Sequence, residues 1–295
     1  MLKFRHPLWM GVTIARSVDQ ACQVLADNPK TVLLAGGTDL MVGVNRGINR
    51  LENVVQIGRI PELREWHIKE THIHLGAGMS YSDMGNSELV ALLPALAQSA
   101  RTVGSPQIRN AGTLGGNLAT SSPAGDTIPV LVALNASIEI KSSIGSREVP
   151  ISEFITGVKK NALKSGELIS SVKVPILKGP QEFLKVGTRN AMVISVVSLA
   201  LITDQEGENI RVGIGSASAT PLRARLAEDY LSGVIDWDKK SPINKSVIKN
   251  FVELVTASVK PIDDHRSSAA YRRHAVGILA KRALIRTFGE EDQDA

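Results

Sequence analysis

Residues 104–126 read GSPQIRNAGTLGGNLATSSPAGD, and this stretch decides how the rest of the sequence is interpreted. It contains five glycines and no aromatic residue. Such a segment buries little apolar surface, so it is poor material for a hydrophobic core. Its small side chains and permissive backbone suit a loop that lies closely against another group. We therefore interpret it as a binding loop.

A second glycine segment, LLAGGTDL at 33–40, has the same character. Neither segment carries Lys or Arg beside its glycines, so a phosphate held there would be bound by backbone N–H groups and hydroxyls. Two such cradles favour a dinucleotide that spans both, with Asp126 accepting from ribose hydroxyls or an adenine amine. The alternative, two tight glycine turns with a helix cap at Asp39 or Asp126, stays open.

The composition excludes several classes of function. The net charge is only +5, and no run of five Lys or Arg occurs, which argues against a nucleic-acid-binding protein. Cys22 is the single cysteine, so the chain has no internal disulfide and its own thiolates hold no iron–sulfur cluster. The apolar run near the start is shorter than the core of a signal peptide, and no stretch approaches a membrane span. We expect a soluble, cytoplasmic protein without a membrane span.

Hydrophobic periodicity predicts an α+β fold. The predicted helices cover 17–26, 89–103, 245–258 and 269–287, and the predicted strands cover 31–37, 54–58, 72–78, 167–175, 193–203 and 210–218, with a helix turning into a strand over 128–140. The segment ILKGPQE at 176–182 is interpreted as a linker, which places a domain boundary near 177.

Other cofactor and catalytic motifs fail. Gly76-Ala-Gly78 has Tyr81 in place of the third glycine of a Rossmann fingerprint, the chain contains no Gly-Lys pair for a P-loop, and no GxSxG motif occurs. His72 and His74 share one face of a strand but lack a third ligand, so we interpret them as exposed histidines rather than metal ligands.

Four segments together resemble the signatures of one family, in order along the chain: LLAGGTDLMV, GSPQIRNAGTLGGNLATSSPAGD, FLKVGTRNAMVIS and SAAYRRHAVGILAKRAL. The family is that of the FAD-binding medium subunits of molybdenum hydroxylases, which includes xanthine dehydrogenase and carbon monoxide dehydrogenase. The resemblance runs from about Pro7 to Leu284. It implies a two-part FAD-binding domain of the vanillyl-alcohol oxidase and MurB-like (PCMH) type over 1–176, with subdomains of about 1–60 and 61–176. A CO dehydrogenase flavoprotein C-terminal domain would follow over 177–289, and then an acidic tail over 290–295.

The resemblance also implies a set of FAD-binding residues. Carried over position by position, they are Leu33, Leu34, Ala35, Gly36, Gly37, Thr38, Asp39, Leu40, Thr113, Leu114, Gly115, Gly116, Asn117, Thr120, Asp126, Ile169 and Lys185. Some relatives place an aromatic beside the flavin where this sequence has Val103. No histidine or cysteine occurs in the two glycine segments, so we expect FAD to be bound non-covalently.

Partners follow from the same resemblance. It implies a large subunit with molybdopterin and a small subunit with two 2Fe-2S clusters, assembled as a dimer of heterotrimers. FAD would pass electrons to NAD+, oxygen or another acceptor, and we nominate no general acid or base. A self-contained flavin oxidoreductase and a non-catalytic FAD-binding assembly protein remain as alternatives. We expect Arg109 to anchor its loop rather than pair with the surroundings of the flavin. The last helix should have a solvated basic face, with docking to a partner subunit as the alternative; its residues are Arg272, Arg273, Lys281, Arg282 and Arg286.

Overall fold

The computed structural model describes residues 11–239 and 241–291. The start of the family resemblance at Pro7, the segment considered for a signal peptide up to residue 10, and residues 292–295 of the predicted tail lie outside the described residues. Within them, helices combine with one parallel sheet and several antiparallel sheets, which confirms the α+β fold class.

The first described elements form a small parallel sheet, in the strand order β1-β3-β2. Its elements are β1 (Gly11–Ile14), α1 (Val18–Asp27), β2 (Thr31–Leu34), α2 (Leu40–Asn45) and β3 (Asn53–Gln56). Helix α1 begins where the Ser17 side chain accepts a hydrogen bond from the Gln20 N–H group. It buries Cys22 and its apolar neighbours under the sheet. Strand β2 ends within the first glycine segment, so that segment continues from an edge strand of this sheet.

A five-stranded antiparallel sheet follows, in the order β4-β5-β10-β6-β7, with a two-stranded β8-β9 sheet beside it. The elements are β4 (Trp66–Lys69), β5 (His72–Gly76), α3 (Ser87–Leu92), α4 (Pro94–Arg101), α5 (Pro106–Ala111), α6 (Leu114–Thr120), α7 (Thr127–Ala133), β6 (Ser137–Ser142), β7 (Gly145–Pro150), α8 (Ile151–Phe154), β8 (Ile155–Gly157), β9 (Lys160–Asn161) and β10 (Leu168–Pro175). One core joins the inner face of this sheet to α6 and α7. The second glycine segment is thereby held on a packed scaffold.

The last part of the described chain is a four-stranded antiparallel sheet covered by helices. Its elements are β11 (Gln181–Gly187), β12 (Ser195–Asp204), β13 (Asn209–Gly215), β14 (Leu222–Arg223), α9 (Arg225–Val234), α10 (Lys245–Ser258) and α11 (Ala269–Phe288). Helices α9 to α11 pack on one side of the sheet, and α4 and α7 of the preceding part pack on β11 to β13. Consequently β12 is buried along its whole length.

Three details differ from the sequence interpretation. The stretch 104–126 is largely helical: Ser105 and Thr113 cap α5 and α6, and Pro106 is the first residue of α5. The helix predicted over 89–103 is divided at Leu93, because the proline that follows it has no N–H group to continue the helix. Arg272 was expected on a solvated face but is only 3% exposed, and its guanidinium donates to backbone carbonyls of the four-stranded sheet region.

No helix among residues 11–239 and 241–291 is long and apolar enough to span a bilayer.

Candidate functional site

The two glycine segments touch each other. A Cβ atom built on Gly36 would lie 1.7 Å from the carbonyl oxygen of Ala111 and 3.2 Å from the Cα atom of Gly112. Only glycine allows backbones to approach this closely. The turn after β2 and the junction of α5 with α6 are therefore in direct contact, although 75 residues separate Gly36 from Ala111 in the sequence.

A cavity of about 530 Å³ lies along this contact. Most of the residues predicted for the cofactor line it: Leu33, Leu34, Ala35, Gly36, Gly37, Thr38, Asp39, Leu40, Thr113, Gly115, Gly116, Asn117, Thr120 and Ile169. Three of the predicted residues do not. Leu114 points into the core of the five-stranded sheet, and Asp126 and Lys185 are buried against each other outside the cavity lining.

The first glycine segment lines the cavity and has unused donors. Among the described residues, none accepts a hydrogen bond from the N–H groups of the residues 36–39. Gly37 has φ = +70°, a left-handed conformation that turns the chain between β2 and α2. A turn with consecutive free N–H groups is an anion-binding concavity. This segment can thus hold a phosphate group without a cationic side chain.

The second segment differs from the interpretation of its backbone as a donor cradle. The N–H groups of residues 114–116 already have partners within the protein: Met79 O at 3.0 Å, Ala77 O at 2.7 Å and Thr113 Oγ1 at 3.1 Å, respectively. These bonds fix the start of α6 to the end of the five-stranded sheet. This wall therefore supplies shape and side chains to the cavity, while the backbone donors come from the opposite wall.

Gly116 and Asn117 shape that wall. A Cβ atom on Gly116 would lie 2.8 Å from the Thr113 hydroxyl, which caps α6, so a side chain at this position of the cavity wall would displace that hydroxyl. The Oδ1 atom of Asn117 is buried and has no hydrogen-bond partner among the described residues. An unpaired buried acceptor is costly, so this atom can accept a hydrogen bond from a molecule bound in the cavity.

Asp126 and Lys185 connect the cavity region to the four-stranded sheet. Their carboxylate and ammonium groups are 2.5 Å apart, and the Asp126 side chain also accepts from Ser195 (2.9 Å) and Thr102 (3.2 Å). Burial raises the pKa of Asp126, and the Lys185 charge and the hydroxyl donors oppose this only in part. The pair therefore holds the loop behind α6 in place from outside the cavity.

Tyr81 is a cavity residue that the sequence interpretation missed. Among the described residues that line the cavity it is the only aromatic one, and its ring packs where a Cβ atom on Gly112 would lie. In the sequence it was noticed only as a failed glycine position. Val103, considered as the flavin neighbour, instead packs against the core, and Arg109 anchors its loop as predicted, donating to the carbonyls of Val103 and Gly104.

The site lacks the groups of several other chemistries. Asp39 is the only charged residue that lines the cavity, so the described part of the chain offers no acid–base pair there. No cluster of three potential metal ligands occurs among the described residues. His74 is not the exposed residue that was expected: it stacks on His67 and lies 3.2 Å from Glu139 on the antiparallel sheet. This histidine pair belongs to the sheet surface rather than to the cavity.

Comparisons with known proteins agree with this arrangement. Residues 3–177 match the family described as the FAD binding domain in molybdopterin dehydrogenase, and residues 182–287 match the CO dehydrogenase flavoprotein C-terminal domain. The chain is 32% identical over 283 residues to the glyceraldehyde dehydrogenase medium chain of Sulfolobus acidocaldarius, covering 95% of this chain and 98% of that relative. It is 29% identical to the xanthine dehydrogenase FAD-binding subunit of Escherichia coli O157:H7, over 92% of this chain and 93% of the relative.

The fold has a close solved counterpart. A structure of carbon monoxide dehydrogenase from Hydrogenophaga pseudoflava contains a chain that superposes with a TM-score of 0.85 at 26% identity. The match covers 96% of this chain and 98% of that one. Both parts of the molecule, and not the glycine segments alone, therefore follow one known architecture.

Proposed function

The chain belongs to the family of FAD-binding subunits of molybdenum hydroxylases, and on this premise we propose that the cavity between its two glycine segments holds FAD and passes electrons onward from it. The chain is an oxidoreductase subunit of the xanthine and carbon monoxide dehydrogenase type. The observation that carries the proposal is the row of N–H groups at 36–39, which have no acceptor among the described residues and belong to a segment that lines the cavity.

The residues present fit a flavin dinucleotide. The volume of about 530 Å³ lies within the range of roughly 300–1,000 Å³ for cofactor sites. The free N–H groups at 36–39 suit a diphosphate, and hydrogen bonds to a charged group contribute about 1.5–3 kcal/mol each. Leu33, Leu168 and Ile169 give the cavity apolar surface that suits the ring system. The orphaned Oδ1 atom of Asn117 suits a hydroxyl or amine donor of the dinucleotide.

The chemistry would come from the cofactor. When bound, FAD accepts electrons singly and releases them as a pair. The protein positions it: the turn at 36–39 binds the diphosphate, α6 forms the opposite wall, and the Asp126–Lys185 pair braces the loop behind that wall. We propose that FAD is held non-covalently by residues 1–176, with subdomains of about 1–60 and 61–176, and that 177–289 form the C-terminal domain.

The electron path requires partners. We propose that a molybdopterin-containing large subunit and a small subunit with two 2Fe-2S clusters deliver electrons to this chain in the cytoplasm, in a dimer of heterotrimers. We propose that the electrons pass from FAD to NAD+ or another acceptor. Because Cys22 is buried and single, this chain supplies no thiolates for a cluster, which supports placing the clusters in another subunit.

Purification of the chain tests the proposal. The protein should carry a flavin absorption spectrum and release FAD on denaturation, as expected for non-covalent binding. FAD at 100 times its Kd should stabilise the flavin-free chain by about 2.7 kcal/mol. A colourless protein whose melting temperature ignores added FAD would contradict the proposal. Co-purification with a cysteine-rich small subunit and a large molybdopterin subunit tests the partners separately.

A further inference from the structure

Tyr81 is held rigidly at the junction of the two glycine segments. Its N–H group donates to the carbonyl of Gly112 at 3.2 Å, and its ring occupies the space beside the Cα atom of the same glycine. Gly112 in turn lies against Gly36. Tyr81 is only 8% exposed, and it lines the cavity. Its position is therefore fixed before any ligand arrives.

The Tyr81 hydroxyl lies near the side chains of Asn117, Asp39 and Asp126. Asn117 on α6 is close enough for its side-chain amide to favour the phenol oxygen in its ionised form, and the carboxylates of Asp39 and Asp126 act in the opposite direction. Burial is the largest effect, and it raises the pKa of Tyr81 well above the ordinary value. The hydroxyl thus keeps its proton at every physiological pH and acts as a donor.

The turn at 36–39 indicates which ligand group the Tyr81 hydroxyl would contact. Gly36 lies against Gly112, on which the Tyr81 ring packs, and Tyr81 and residues 36–39 line the same cavity. Consecutive N–H groups of this kind recognise phosphate oxygens. A neutral hydroxyl beside them adds a donor without adding a charge.

We propose that Tyr81 is a cofactor-binding residue whose hydroxyl donates a hydrogen bond to a diphosphate oxygen of the bound dinucleotide. This inference rests on the proposed function, because it requires FAD in the cavity. On the α6 side of the cavity the backbone N–H groups of residues 114–116 are already bonded within the protein. The Tyr81 hydroxyl would supply a side-chain donor on that side instead. Tyr81 is thereby distinguished from an aromatic residue that stacks on the flavin ring.

The test is the Tyr81→Phe variant of the full chain, with Tyr230→Phe as the matched control. Phenylalanine keeps the ring against Gly112, so the flavin-free variant should melt at the wild-type temperature. Tyr230 lies on α9, where its hydroxyl accepts from Asn250, far along the chain from the cavity. The expected result is a Kd for FAD raised about 10-fold or more in Tyr81→Phe, as for the loss of a hydrogen bond to a charged group. Tyr230→Phe should bind FAD as the wild type does.

Phosphorus NMR of the FAD-loaded variants identifies the atom contacted. With FAD in excess over its Kd, Tyr81→Phe should shift a diphosphate resonance and leave the flavin absorption bands unchanged. Shifted absorption bands with unchanged phosphorus resonances would overturn the inference in favour of a ring contact, and an unchanged Kd would overturn it outright. A wild-type chain that binds no FAD would contradict the proposed function itself. A result on Tyr81→Phe alone bears only on the role of Tyr81.

Discussion

Asp126 and Lys185 form a buried ion pair that joins the loop behind α6 to strand β11. The side chains are only 5% and 7% exposed, and Lys185 also donates to the carbonyl of Thr102 at 3.0 Å. Both residues were predicted to touch FAD, yet the structure directs them at each other. The pair therefore ties the cavity wall to the four-stranded sheet, and its strength can be measured apart from cofactor binding.

Replacing Lys185 with Met should destabilise the flavin-free protein by about 3–5 kcal/mol, because it leaves the Asp126 carboxylate buried without its counter-charge. The double variant Lys185→Met/Asp126→Asn should lose less than the sum of the two single variants. Urea unfolding measures each loss. Lys178→Met, which breaks an ion pair whose partners are 74% and 68% exposed, is the control and should have no measurable effect. Additive losses in the cycle would show that the pair is not coupled.

The stability of the Lys185→Met variant should depend on pH. Burial already raises the pKa of Asp126, and removal of the Lys185 charge raises it further. An acid whose pKa is raised by folding binds more protons in the folded state, so the stability of Lys185→Met should fall as pH rises from 5 to 8. Unfolding curves across this range, compared with those of the wild type, test the sign. A loss that is larger at pH 5 than at pH 8 would contradict this electrostatic account.

Gly36→Ala should separate the two glycine segments. The new methyl group would lie 1.7 Å from the carbonyl oxygen of Ala111, and backbone cannot yield as a side-chain tip does. We expect a loss of about 3 kcal/mol or more in stability, at the upper end of the cost of overpacking, together with weaker FAD binding. Gly85→Ala is the control, because nothing lies within 4 Å of that position. Wild-type stability in Gly36→Ala would mean that the segments do not touch.

Gly116→Val should weaken FAD binding by altering the α6 wall of the cavity. Its Cβ atom would lie 2.8 Å from the Thr113 hydroxyl and force that hydroxyl to shift, and overpacking of about 1–3 kcal/mol corresponds to a Kd raised about 5- to 150-fold. Gly233→Val places the same change on α9 with nothing within 4 Å. Calorimetric titration with FAD distinguishes them. Stoichiometric FAD in Gly116→Val at wild-type affinity would refute this wall of the cavity.

Glu167→Gln should reveal a contribution to stability that disappears in acid. Arg147 donates two hydrogen bonds of 2.7 Å to Glu167, and these bonds lower the pKa of the carboxyl against the opposing effect of burial. A lowered pKa stabilises the fold above the ordinary value of about 4.3 and ceases to do so as pH falls through the folded-state pKa. The variant should therefore lose about 1–2 kcal/mol at pH 7 and almost nothing near pH 3.

Urea unfolding at the two pH values measures this difference. Glu206→Gln, at the exposed pair with Lys178, is the control and should match the wild type at both. Because Glu167 directly precedes Leu168 and Ile169 of β10, which line the cavity, the pair also secures that wall. A loss of stability in Glu167→Gln that is equal at pH 7 and pH 3 would mean that charge is not the cause.

The sequence was informative where local chemistry decides the outcome. Glycine pairs after an apolar run predicted the turn at 36–39, and the ordered signatures predicted the family and the fold class, both of which were confirmed. The helices α5 and α6 were missed because glycines and small polar residues conceal the caps at Ser105 and Thr113. Strand β11 was missed because its first residues were read as part of the linker at 176–182.

What escaped prediction depends on contacts between distant residues. Asp126 and Lys185 are 59 positions apart, and nothing local to either one indicates that they neutralise each other. The bonded N–H groups of α6 depend on carbonyls of residues 77 and 79, which only the folded sheet brings near. Tyr81 escaped prediction for the same reason, because its place in the cavity wall depends on the contact of its ring with the distant Gly112.

We infer that one cavity between two distant glycine segments binds the diphosphate of FAD. A crystal structure of the FAD-loaded chain would give the distances from the diphosphate oxygens to the N–H groups of residues 36–39. We expect hydrogen bonds of about 2.7–3.2 Å to these groups. A diphosphate bound elsewhere, with the turn at 36–39 left without contacts to it, would contradict the claim.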